Sequence, residues 1–144
     1  GHHRDLHSSP TRRSSDLAAP KIGRLARPGD TLLVWGYRPE LNVLAGLPGA
    51  TRFIDSQPLT GVIADRHLTV STPSAPELAA RFRRELAGTR PAFIADGLGK
   101  LNAALGVERY EDLRGWLAGY EEVGETKGFR IYRLRGTAGQ SQTR

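Results

Sequence analysis

The chain has 144 residues, a formal charge of +6 and no cysteine. That length suits one ordinary domain, the missing cysteines exclude disulfide scaffolds and thiolate metal sites, and no apolar run approaches the ~20 residues that cross a bilayer. All but three of the 21 basic residues are arginine. They are scattered rather than striped, which fits the residue usage of a GC-rich gene better than a nucleic-acid footprint. No nucleic-acid partner is expected.

The first stretch, residues 1–17, is polar and lacks the apolar core of a signal peptide. Arg12 and Arg13, with no aromatic residue beside them, make a weak phosphate footprint. RDLHSSPTRRSSDL closely resembles the conceptual translation of a short-read sequencing adapter, which normally has Phe where Ser9 stands. Residues 1–17 are therefore expected to be adapter-derived and disordered. Their removal takes away His2, His3 and His7 and leaves a charge of +5, since three arginines go with two aspartates. An adapter joined to coding sequence implies that the true protein extends upstream.

Residues 18–30 read as a linker or the remnant of a truncated helix, closed by the Pro28–Gly29 turn. The domain proper is expected over 31–135. TLLVWG, residues 31–36, is apolar on consecutive positions, as a strand buried on both faces is. Pro39 to Gly46 reads as a helix, TRFID (51–55) as a second strand, and Gly61–Ile63 as a short extended piece. Ser74–Ala75–Pro76–Glu77 has the pattern of a capping box, opening a helix that places Leu78, Phe82 and Leu86 on one face and lines up Glu77, Arg81 and Glu85 on another. PAFIAD (91–96) is a third strand. GLGKLNAALG is a short helix, and Tyr110, Leu113 and Leu117 mark the face of another. YEEVGE and FRIYRLR flank Thr126–Lys127–Gly128 as a hairpin, and residues 136–144 form a disordered tail. This order predicts a three-layer α/β sandwich, with a mostly parallel sheet and an antiparallel C-terminal hairpin.

In such a sheet, ligands gather beyond the carboxyl ends of the strands. Here those ends are WGYRPE, IDSQP and ADGLGK. The candidate substrate-binding residues are Trp35, Tyr37, Arg38, Asp55, Gln57 and Asp96, with Ser56 beside them. Trp35 and Tyr37 can stack on a sugar or base, and Arg38 can grip phosphate. Each also has a structural reading: Trp35 as core, Asp55 and Asp96 as caps of the turns that follow. Gly97-Leu98-Gly99-Lys100 lacks the spacing of a phosphate loop, Asp65-Arg66-His67 lacks a further partner, and no G-x-S-x-G elbow occurs. No catalytic set, metal site or cofactor site emerges.

One segment carries a resemblance. Trp35–Gly36, the Pro39–Gly46 helix and Thr51–Arg52–Phe53 follow, in order, the W-G, P-x-(I/L)-Y-x-x-(A/S)-G and (S/T)-R-(F/Y) pattern of a known family. Pro91 to Asp96, Tyr110 to Leu113 and the closing hairpin continue it. Residues 28–135 thus resemble the soluble C-terminal part of bacterial GT-C type membrane glycosyltransferases, the dolichyl-phosphate-mannose mannosyltransferase-like family. The helix tyrosine of that pattern is missing; Asn42 and Val43 stand in its region. The resemblance implies an enzyme with many membrane helices that takes sugar from a polyprenyl-phosphate carrier. It implies that this domain lies outside the cytoplasm on a bacterial cell membrane and that the catalytic acid lies elsewhere, in an early membrane loop. The expected partners are the protein's own transmembrane part, the lipid-linked sugar or glycan acceptor, and the membrane surface. The competing expectation is a free-standing soluble α/β ligand-binding module or small transferase.

Overall fold

The computed structural model describes residues 10–62, 73 and 75–136, with side chains from Ser15 onward. Asp65-Arg66-His67, Ser74 and most of the tail lie outside the described residues. Helix α1 (Pro10–Leu25) opens the fold. It runs through the adapter-like stretch, so residues 10–17 are helical where disorder was expected. Ser15, Ala18, Ala19 and Ile22 are buried at helical spacing, and the Ser15 hydroxyl donates to Glu40 at 2.9 Å. Pro20, which cannot donate within the helix, sits on the exposed face.

Strand β1 (Leu32–Trp35) follows, then helix α2 (Glu40–Ala45), which ends at Gly46. The Asn42 amide braces this corner, donating to Leu32 O and Leu47 O at 3.1 Å each. A single turn, α3 (Gln57–Thr60), precedes helix α4 (Pro76–Ala87). Strand β2 (Phe93–Asp96) runs into the short α5 (Leu98–Leu101), then two 3₁₀ turns, Ala103–Leu105 and Val107–Arg109. Helix α6 (Glu111–Leu117) leads to the hairpin of β3 (Tyr120–Glu125) and β4 (Arg130–Leu134). The hairpin turn is closed by Thr126 N donating to Phe129 O at 2.8 Å.

The four strands among the described residues form one mixed sheet in the order β1-β2-β4-β3. Only β1 and β2 are parallel; β2–β4 and β4–β3 are antiparallel. The sheet is therefore not mostly parallel, and the reason is local. TRFID does not form a strand: residues 51–56 run as a series of bends. Leu32 N donates to Pro48 O at 3.0 Å and Ser56 N donates to Gly36 O at 3.1 Å. The eight-residue step from Pro48 to Ser56 thus faces only the four-residue step from Leu32 to Gly36. At ~3.3 Å per strand residue, the longer segment cannot run extended between its two anchors. It loops outward, and the expected third parallel strand is lost.

Alternation along the strands sends side chains to two apolar cores. Leu32, Val34, Phe93 and Ile131 pack against Ile22 of α1 and Leu41 of α2. Leu33, Trp35 and Ile94 pack on the other face against Leu59, Leu86 and Leu113. Burying each such side chain contributes about 1.5–3 kcal/mol relative to exposure. Both faces are covered by helices, which explains why LLVW and FIAD read as unbroken apolar runs. Leu78 departs from its expected face and is 44% exposed; Ala79 and Leu86 are the buried positions of α4. Glu85 bonds Arg52, on a different segment, at 3.2 Å. At the far edge, β3 is interrupted by a bulge between Glu122 and Gly124.

Candidate functional site

The carboxyl ends of β1 and β2 lie side by side, with Trp35 paired to Asp96. Gly36 has φ 151°, a conformation that side chains with a Cβ rarely adopt. It turns the chain sharply after the strand. Trp35 itself is fully buried. Its indole N–H donates to Leu105 O at 3.1 Å and its ring meets Tyr110 edge-on at 5.4 Å. It is a core residue here, so the stacking role on a ligand does not match its position. Tyr37, half-buried, donates its hydroxyl to Val62 O. The Arg38 guanidinium lies 5.6 Å from the centre of the Phe129 ring, beyond the sheet end. Burial lowers its pKa, and the neighbouring Glu40 charge opposes that effect.

Asp96 is the most constrained polar group at this end. It is 2% exposed. One carboxylate oxygen accepts from Gly99 N at 2.7 Å and the other from Val107 N at 2.9 Å. It therefore ties α5 and the second 3₁₀ turn to the end of β2. Gly99 makes the approach possible, because a Cβ there would stand 2.7 Å from the Asp96 carboxylate. Burial pushes the Asp96 pKa up to about 6; the two backbone N–H groups and Arg130 act in the opposite direction. Desolvation wins because the carboxylate has lost its water on every side.

Asp55 accepts from Gln57 N at 2.9 Å and caps the turn of α3. Gln57 is exposed, and the segment is tied to β1 through Ser56 N and Gly36 O. The structure thus gathers Tyr37, Arg38, Asp55, Gln57 and Asp96 around the ends of β1 and β2, with Asp55 and Asp96 acting as caps.

A charged cluster that the sequence reading did not pick out joins them from the hairpin. Arg130, paired with Asp96 across β4 and β2, reaches Glu108 at 3.3 Å and Glu122 at 3.7 Å. The Tyr132 hydroxyl donates to the same Glu108 oxygen at 3.3 Å, and Lys100 pairs with Glu125. The two-residue alternation of Arg130 and Tyr132 on FRIYRLR carried this signal, since a strand sets such residues on one face. Glu108 carried none, because its loop is placed by Asp96.

Chemically, the acids here hold the protein's own backbone or balance its own cations. Among the described residues no group of three or more acidic, histidine or cysteine side chains is placed to hold a metal. No helix among them is long and apolar enough to cross a membrane. Comparison with protein-family models, with curated proteins and with solved structures gives no match.

Proposed function

We propose that the chain is the extracytoplasmic, non-catalytic soluble domain of an integral-membrane glycosyltransferase that takes its sugar from a polyprenyl-phosphate carrier. The observation that carries this reading is how the strand-end residues are used. Asp96 is clasped by two backbone amides, Asp55 caps α3 and Trp35 lies in the core. Carboxylates spent on holding loops fit a supporting role better than bond-breaking. The half-buried Arg38 and the exposed Gln57 at the same end suit contact with a phosphate-bearing or hydroxylated partner.

A second feature supports a place beside the membrane. Val43 and Leu44 of α2 are exposed, and Leu44 lines an open groove of about 520 Å³ shared with Arg24 of α1. An apolar ridge beside Arg24, with Asp16 also lining the groove, suits a membrane surface, where a basic residue contributes about 1 kcal/mol on anionic lipid.

The deciding experiment is long-read sequencing of the source DNA upstream of the Ala18 codon. A frame that loses HSSPTRRSSDL and continues through several apolar spans of ~20 residues bears the proposal out. A start codon shortly upstream without such spans overturns it, and the free-standing module becomes the reading to pursue.

A further inference from the structure

Within a parallel pair, alternate residues of a strand bond the neighbour and the rest face away. Thr31 and Trp35 accept from β2 and its flanks, at Phe93 N and Gly97 N. Leu32, Val34 and Gly36 therefore face the outer edge of β1. Leu32 N finds Pro48 O, Leu32 O receives Asn42, and Gly36 O receives Ser56 N. Val34 is the rung between them. It is 7% exposed, and no backbone group of the flanking residues 48–56 bonds its N–H or its C=O.

Beside that rung lies a cavity bounded by Val34, Asn42, Ala50, Thr51, Asp55 and Ser56, among others. Ser56 lines it. Ser56 is 1% exposed, and among the described residues its Oγ has no hydrogen-bond partner. A buried hydroxyl or amide left unpaired is destabilising, so such groups are almost always satisfied by protein or by ordered water. The cavity gives about 20 Å³ to the centre of a water molecule, against the ~10–15 Å³ that one water needs. Apolar cavities of this kind stay dry; polar ones with two or more partners hold water.

From these observations we infer that one buried water molecule completes the outer edge of β1, bridging the Ser56 hydroxyl and the main chain of Val34. It stands in for the rung that a strand at 51–55 would have supplied. It also fixes the segment that carries Asp55 and Gln57 to the end of the sheet. The inference does not depend on the membrane reading.

Two measurements on the full chain test it. In a high-resolution crystal structure, a single density peak is expected within ~3.2 Å of both Ser56 Oγ and Val34 N or O. A featureless cavity overturns the inference. So does a carbonyl between Ala50 and Asp55 bonded directly to Val34 N, which would close the edge as a strand. In oxygen-17 relaxation dispersion, Ser56→Val removes the hydroxyl and fills the space. It is expected to lower the count of long-lived internal waters by one; an unchanged count overturns the inference. The crystallographic measurement stands on the unaltered chain if that variant does not fold.

Discussion

Replacing Asp96 by asparagine removes a buried negative charge and leaves the shape of the side chain nearly unchanged. The folded carboxyl titrates near 6, raised mainly by burial from an ordinary 3.8. Below pH 3.8 both folded and unfolded chains carry the proton. Between 3.8 and about 6 only the folded chain does, and above that neither does. The folded state binds the extra proton, so stability falls as pH rises through this window. At 1.36 kcal/mol per pH unit, the window is worth about 3 kcal/mol. Asparagine offers one acceptor where the carboxylate offers two. One of Gly99 N and Val107 N then loses its partner, at a pH-independent cost of about 1–3 kcal/mol. Urea unfolding of both proteins at half-unit steps from pH 3.5 to 8 isolates the effect, because all other titrations cancel in the difference. The wild type is expected to gain on Asp96→Asn by about 3 kcal/mol as pH falls through the window. A flat difference, or a gain with rising pH, would show that the two backbone hydrogen bonds outweigh desolvation, and the account of this site would be wrong.

Three further predictions concern packing, charge and surface. Gly99→Ala drives a Cβ to 2.7 Å from the Asp96 carboxylate and is expected to cost about 1–3 kcal/mol. Gly23→Ala, in α1 with nothing within 4 Å, is expected to gain about 0.5–1 kcal/mol; thermal melts giving both the same sign would contradict the glycine assignments. Arg83 donates to Leu59 O at 2.6 Å and to Asp112 at 2.8 Å and is mostly buried. Arg83→Ala should therefore cost about 2 kcal/mol, whereas Arg52→Ala, which breaks an exposed pair with Glu85, should cost under ~1 kcal/mol; chemical denaturation ranks the two. Finally, the full chain is expected to float with anionic phosphatidylglycerol vesicles but not with neutral ones. The double change Val43→Glu with Leu44→Glu should abolish flotation, and equal flotation by both proteins would remove α2 from any membrane contact.

Elements whose residues act locally were legible from the sequence. The apolar runs of β1 and β2, the helix ending at Gly46 and the β3–β4 hairpin all stand where periodicity and turn residues put them. The first helix was legible only in part, as a linker or helix remnant from residue 18, although Ser15, Ala18, Ala19 and Ile22 recur at helical spacing; serine and alanine form a weak apolar stripe. Thr51–Asp55 reads as a strand by composition, but its conformation is set by the anchors at Pro48 and Ser56, which no local pattern reveals. The candidate site was legible to the same degree. Strand ends picked out Arg38, Asp55, Gln57 and Asp96. The partner of Asp96 at Val107 and the contribution of Arg130 depend on pairing across long sequence separations.

The two margins of the sheet bear on how the protein behaves at high concentration. One flank, β1, is overlaid by residues 48–56. The opposite flank, β3, carries exposed Glu121, Glu122 and Glu125 and is bent by its bulge. A second molecule seeking to extend the sheet there meets like charge and a broken run of donors and acceptors. Both margins of the sheet are thus guarded against fibril-like stacking.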